Sequence, residues 1–323
     1  MSKQANNRSP QTDSWNTYWQ GTGDTGAFAS GGASHPAIRE FWVSFFQTIK
    51  ADYKNPAIID IASGNGAVLE SILDAYSKQD IKLTSLDISA AAIENISQRF
   101  PSVNGLVADA AEVPLESGSF DIVTSQFGVE YAGQEAILEA ARLVADGGQL
   151  ALLLHADSGS IHEECLQSLD AAERTQACHF IPVAMNMFDA GFKAVRGADR
   201  TAYDAAAKEL APAIAELESI MKQYGLHVAG DTVSRLYNDV GQIHQRIQHY
   251  EPDDVLGWLK KMDAEVNAYA ERMASMSRAA IDNDDFTQVK TSLSNCGFSI
   301  QHAEALLIPG QELPMAWILI ANK

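Results

Sequence analysis

Three carboxylates stand where apolar runs end in the first half of the chain. Asp60 lies near the end of "AIIDIA", Asp87 near the end of "KLTSLDIS", and Asp109 near the end of "NGLVADA". Ala62, Ser63, Gly64 and Gly66 form a tight turn after the first. Further on, "FDIVTSQFGVEY" brings Gln126, Phe127, Glu130 and Tyr131, and His155 stands at the end of "GQLALLLHA". In an open parallel sheet, the carboxyl ends of the strands border a common crevice where ligands bind. Acids placed there suit a ligand with positive charge and hydroxyl groups. A histidine beside them, with an unperturbed pKa of about 6.5, suits proton removal near neutral pH.

The glycine turn narrows the ligand. A dinucleotide turn reads G-x-G-x-x-G, and its third glycine allows close packing of helix on sheet. Here Gly64 and Gly66 supply the first two, but Leu69 holds the third place. That bulk disfavours a dinucleotide, as does a carboxylate at Asp60, which is poorly placed for a pyrophosphate. Asp60 suits an ammonium or a sulfonium, and S-adenosylmethionine carries both. Asp87 is placed to accept from ribose hydroxyls. An acid does the same in NAD sites, so Asp87 does not discriminate. Asp109 and Ala110 are placed to read an adenine edge.

The elements that must position these residues alternate. Strands are predicted over 57–62, 82–89, 104–110, 120–127 and 148–156. Helices are predicted over 37–50, 67–78, 90–100 and 133–146. This rhythm implies an α/β fold with a mostly parallel sheet covered on both faces. After His155 it stops, and residues 158–282 read as helices separated at Pro182, Gly225, Gly230 and Pro252. It returns with a helix over 284–298 and strands over 299–309 and 315–323, a hairpin around "GQELP".

The expected organisation has three parts. Residues 1–36 form an N-terminal arm, disordered over about the first fourteen residues. Residues 37–157 and 283–323 form the ligand-binding α/β domain. Residues 158–282 form an all-helical insertion between strand five and the following helix, a lid or substrate subdomain. Trp15, Tyr18, Trp19 and Phe28 on the arm are interleaved with glycines. The arm is expected to fold over the ligand, with Tyr18 and Trp19 touching a sulfonium through cation–π contact.

The ordered run from "DIASGNG" through "LTSLDIS" and "GLVADAAEVPLESGSFDIVTSQFGVEY" to "GGQLALLLH" resembles a class I S-adenosylmethionine-dependent methyltransferase. It is most similar to the group that contains the ubiquinone and menaquinone methyltransferases. The resemblance covers about residues 57–156. It implies a seven-stranded Rossmann-like sheet, into which the last two strands fit. It also implies that Asp60, Ala62 and Gly64 line the methionine part of the cofactor. Asp87 would hold the ribose, Ile88 would pack on the adenine, Asp109 and Ala110 would meet its edge, and Gln126 and Phe127 would close the pocket. The family pattern has glycine where this chain has Ala62, and it lacks the long insertion, so the resemblance does not indicate the acceptor.

The expected reaction is methyl transfer to oxygen, nitrogen or carbon of a small molecule. His155, Tyr131 and Glu130 are the candidate catalytic residues, with His155 as general base. Three alternatives stay open: a protein methyltransferase, a nucleotide-dependent oxidoreductase, and a non-catalytic cofactor-binding scaffold. The formal charge of −19 would repel a phosphate backbone or an anionic bilayer, so neither nucleic acid nor membrane is an expected partner. Cys165, Cys178 and Cys296 are widely spaced and suit a reducing, cytoplasmic setting. No set of ligands at metal spacing is seen. A homodimer through the helical insertion is a further expectation.

Overall fold

The computed structural model describes residues 15–16, 18–20, 35–77 and 80–323. Helix α1 (Pro36–Ile49) opens on a proline, and His35 Nδ1 accepts a hydrogen bond from Ala37 N at 3.1 Å. Its Ile38, Trp42, Phe45, Phe46 and Ile49 recur at helical spacing and are buried.

The strands are β1 (Ala57–Ile61), β2 (Lys82–Asp87), β3 (Asn104–Val107), β4 (Phe120–Gln126), β5 (Val144–His155), β6 (Ser299–Leu307) and β7 (Pro314–Asn322). They form one sheet in the order β3-β2-β1-β4-β5-β7-β6. The first five pair in parallel, and β7 pairs antiparallel with both β5 and β6. Helices α2 (Ala67–Ala75), α3 (Ala90–Arg99) and α4 (Gln134–Leu143) alternate with the parallel strands. This is the seven-stranded Rossmann-like α/β sheet expected from the sequence. Strand order reverses between β1 and β4, and such a reversal leaves a crevice at the strands' carboxyl ends.

The end of α4 corrects one expectation. The helix stops at Leu143, short of the predicted 146. Val144 is extended (φ −70°, ψ 127°) and pairs with Phe120 at the start of β5. The pairing then slips between Phe120 and Ile122, and Gly147 takes φ 80° inside the irregularity. A Cβ on Gly148 would stand 2.8 Å from the Asp121 carbonyl oxygen, so only glycine fits that approach.

After β5 come α5 (Ser160–Ala177), α6 (Phe180–Val195), α7 (Thr201–Tyr224), α8 (Thr232–Gln245) and α9 (Pro252–Ala279). Helix α10 (Asn283–Asn295) then leads to β6. Pro182 does not separate helices. It sits in the first turn of α6, where its missing N–H is tolerated, and the break falls at His179, which has φ 52°. The chain divides into two units, residues 1–163 with 275–323 and Glu164–Ala274. The helical unit has its own core, including Phe180, Phe188, Leu217, Leu236 and Leu259. The core of the α/β unit includes Ile59, Ile61, Leu86, Val123, Leu150 and Leu152. Where the helical segment leaves and rejoins the sheet, Ile281 N donates to His155 O (2.8 Å) and Asp157 N donates to Ile281 O (2.9 Å). Among the described residues, no helix is long and apolar enough to cross a membrane.

Candidate active site

A cavity of about 220 Å³ opens beyond the carboxyl ends of β1, β2 and β4. Its walls include Trp15, Trp19, Ala62, Gly64, Asp87, Ile88, Asp109, Ala110, Phe127 and Tyr131. A smaller chamber of about 70 Å³ shares Trp15, Trp19, Ala62, Gly64, Phe127 and Tyr131 with it. That chamber adds Asp60, Ser63, Gln126, His155 and Met276.

Sheet register places the first carboxylate. Asp60 on β1 lies opposite Thr124 on β4, and Thr124 Oγ1 donates to Asp60 Oδ1 at 2.8 Å. Asp60 is 1% exposed, and burial pushes its pKa from the ordinary 3.8 up to about 7. Hydrogen bonds from Thr124 and Ser63 oppose the rise, and the Asp87 charge adds to it. Asp87 ends β2, where Oδ2 accepts from Gly64 N (2.9 Å) and Oδ1 accepts from Ser89 N (2.8 Å). Burial raises its pKa, against the backbone donors of Ser89, Gly64 and Ile88. Ser89 caps α3, its Oγ accepting from Ala92 N at 3.2 Å. Two buried carboxylates at adjoining chambers cost stability unless a cation compensates them. The site therefore fits a positively charged ligand.

Backbone strain gathers at the same place. Ala62 and Phe127 both hold φ 52°, a left-handed conformation that is uncommon for residues with a side chain. Ala62 stands where the family pattern has glycine. Across from it, a Cβ on Gly128 would meet the Ala62 Cβ at 2.4 Å. The gap between the two positions therefore has room for one methyl, and Ala62 supplies it.

The candidate catalytic residues come together from separate elements. His155 Nδ1 is 2.7 Å from Glu130 Oε1, and the same oxygen accepts from His155 N at 3.0 Å. Both side chains are almost fully buried. The Phe127 ring lies 4.4 Å from the imidazole, and Tyr131 meets it edge-on at 5.7 Å. A carboxylate held against Nδ1 favours the tautomer with its proton there, which leaves the lone pair on Nε2.

The arm supplies further walls through Trp15 and Trp19, and α1 braces one wall residue from behind. Trp15 stacks with Trp19 at 6.4 Å and meets Tyr131 edge-on at 5.6 Å. Asn95 Nδ2 donates to the Trp19 carbonyl (2.9 Å) and Ser89 Oγ to Asn16 Oδ1 (2.8 Å), which ties the arm to α3. The Trp42 indole N–H donates to Gln126 Oε1 at 2.6 Å and fixes that side chain.

Residues 59–152 match the family model described as "Methyltransferase domain". That segment is similar in sequence to methyltransferase domains. The chain is 32% identical over 110 residues to the ubiquinone/menaquinone biosynthesis C-methyltransferase of Campylobacter jejuni, covering 32% of this chain and 46% of that one. It is 30% identical over 95 residues to the demethylmenaquinone methyltransferase of Renibacterium salmoninarum, covering 29% of this chain and 38% of that one. The chain thus spans under half the length of these curated relatives. A candidate S-adenosyl-L-methionine-dependent methyltransferase structure from Methanococcus maripaludis superposes with a TM-score of 0.44 at 13% identity, covering 99% of this chain and 96% of that chain.

S-adenosylmethionine is the cofactor expected from the sequence. Of the residues expected to hold it, Asp60, Ala62, Ser63, Gly64, Asp87, Ile88, Asp109, Ala110, Gln126, Phe127 and Trp19 all line one chamber or both. Three expected site residues do not line either chamber. Gly66 holds φ 85° as the N-cap of α2 and packs against Phe100 and Leu69, so its role is the turn. Tyr18 is buried, its ring edge-on to Trp15 and Trp19, and it supports those indoles. Glu130 stands behind His155. Asp109 Oδ1 accepts from Ala111 N at 2.9 Å, so part of that carboxylate stabilises its own turn. Ser125 also stays off the walls; its hydroxyl donates to Ile61 O and accepts from Val129 N.

Sequence reasoning missed Thr124, Trp42, Gly128 and Met276, whose roles depend on pairings far apart in the chain. Phe28 lies outside the described residues. Among the described residues, no group of three His, Cys, Asp or Glu side chains is placed to hold a metal.

Proposed function

We propose that this protein methylates an oxygen, nitrogen or carbon nucleophile on a small molecule, using S-adenosylmethionine. When bound, that cofactor supplies a methyl group on a sulfonium, already activated toward displacement. Asp60 and Ser63 hold its amino-acid end, and Asp87 holds its ribose. Ile88, Ala110 and Phe127 enclose the adenine, and Trp15 and Trp19 exclude water. Glu130 keeps the proton on His155 Nδ1, and His155 Nε2 takes the proton from the acceptor. The single observation that carries this reading is the buried His155–Glu130 pair in the chamber that also holds Asp60.

Relatives of the domain are named for quinone biosynthesis, so phenols and naphthols are the first acceptors to test. Turnover is measured with S-adenosylmethionine labelled in its methyl group. His155→Gln should lower kcat by about 10²–10⁴-fold, the usual worth of general acid–base catalysis, with cofactor affinity retained. Glu130→Gln should lower kcat with little change in KM, because the imidazole loses its orientation. Wild-type kcat in His155→Gln would discard the base. Absence of transfer to any acceptor by the wild-type protein would count against the enzyme reading itself.

A further inference from the structure

The helical unit contains a cavity of its own, independent of the methyl-transfer site. It opens between α7 and α8, with α6 behind, and measures about 370 Å³. That lies within the range of small-molecule pockets, roughly 300–1,000 Å³. Phe180, Met187 and Leu210 form its apolar floor, all buried.

Two tyrosines bracket the opening. Tyr203 on α7 bonds His244 on α8 at one end, and Tyr237 on α8 donates to Glu218 on α7 (2.8 Å) at the other. Helices α7 and α8 therefore run antiparallel, fastened at points about 22 Å apart along α7, at 1.5 Å per residue. Ala207, Leu210 and Ile214 lie between these fastenings on α7, and Val240 and Gly241 lie between them on α8.

Gly241 is the informative residue. Glycine inside a helix is less favourable than alanine, and the backbone here has no positive φ that would require it. A Cβ at this position would meet nothing within 4 Å. Neither turn geometry nor close packing explains it, and its effect is to keep the wall of the cavity open.

The lining is also uncharged. In a chain of net charge −19, no Asp, Glu, Lys or Arg among the described residues lines this cavity. Its polar groups are the amides of Asn238, Gln242 and Gln245, with Tyr237 and His244. An ionised ligand would lose its hydration here without a counter-charge, which is costly. A neutral ligand with an apolar body and a hydrogen-bonding edge meets partners for both.

We propose that the cleft between α7 and α8 is a second binding site, for an uncharged amphipathic molecule of two or three rings or an equivalent acyl chain. The probe is N-phenyl-1-naphthylamine, a neutral fluorophore, titrated against the 323-residue chain. A saturable rise in fluorescence is expected. Gly241→Leu and Ala207→Leu fill the cleft from opposite walls, and each should weaken binding at least tenfold. Both should leave S-adenosylmethionine affinity unchanged, which separates this site from the domain's own. Decan-1-ol should displace the probe, and decanoate should do so at least tenfold less well. Gly241→Ala should raise the melting temperature and retain binding. Non-saturable binding, wild-type affinity in a correctly folded filling variant, or equal competition by decanoate would overturn the proposal. Circular dichroism checks each filling variant, so misfolding of one leaves the other as the test.

Discussion

The two cavities differ in what their walls can hold. At the strand-end chambers Asp60, Asp87 and His155 are almost wholly buried, with Glu130 buried behind His155. The helical cavity has an apolar floor and uncharged polar groups. The difference lies in the backbone. Where strands end and turns begin, N–H groups remain unpaired, and here they are spent on carboxylates: Gly64 N and Ser89 N on Asp87, His155 N on Glu130. Inside a helix, each N–H already bonds the carbonyl four residues back. A wall built from mid-helix residues offers only side chains, so a buried charge there would go unsatisfied. Ionic chemistry collects at strand ends, and recognition of neutral molecules suits the space between helices.

Substitutions can break or sharpen this contrast. The largest expected effect is on Asp87. Asp87→Ala removes the acceptor for two ribose hydroxyls, at about 1.5–3 kcal/mol for each charge-assisted bond, so affinity for S-adenosylmethionine should fall at least about a hundredfold. Unchanged affinity by calorimetry would place the ligand elsewhere. Next is Gly128→Ala, which drives a methyl onto Ala62 and should cost about 1–3 kcal/mol, as overpacking does. Adding Ala62→Gly should recover most of the loss in a denaturant titration, and no recovery would mean that the two positions do not share one gap.

Asp60 makes the contrast depend on pH. Its folded pKa of about 7 stands above the ordinary 3.8. Between those values the folded chain binds more protons than the unfolded one, so this group's stabilising contribution falls as pH rises through that window. A cationic ligand requires the carboxylate. Binding below pH 7 should therefore release protons and weaken by roughly tenfold per pH unit at most. Calorimetry in buffers of different ionisation enthalpy reads the release, and Asp60→Asn should abolish it.

Trp42→Phe removes one hydrogen bond to Gln126 and should cost about 0.5–1.5 kcal/mol, read from thermal unfolding. The smallest effect is expected at the exposed Arg39–Asp74 pair (3.6 Å), where Arg39→Ala should change stability by under about 1 kcal/mol.

Much of the α/β unit was legible because its signals are local. Alternating apolar runs mark strands and helices, and Asp60 and Asp87 each follow such a run directly. The start of β5 was hidden because Val144 follows helix-forming residues and its strand partner, Phe120, is remote in sequence. The Asp60–Thr124 and Trp42–Gln126 bonds depend on strand register and helix docking, which composition does not encode. Gly66 and Tyr18 look like site residues by type, yet their surroundings make them a turn and a support. His155 and Glu130 could be picked out as candidates, but their pairing shows only when β5 and the turn after β4 are brought together. The cavity in the helical unit left no motif, because a glycine inside a helix shows its purpose only once its neighbours are seen.

The most direct test of the strand-end site is a calorimetric titration of the 323-residue chain with S-adenosylmethionine, S-adenosylhomocysteine and NADH in turn. Micromolar binding of the first two and none of NADH is the expected result. Binding of NADH alone would contradict the site as assigned here and make the chain a nucleotide-dependent oxidoreductase.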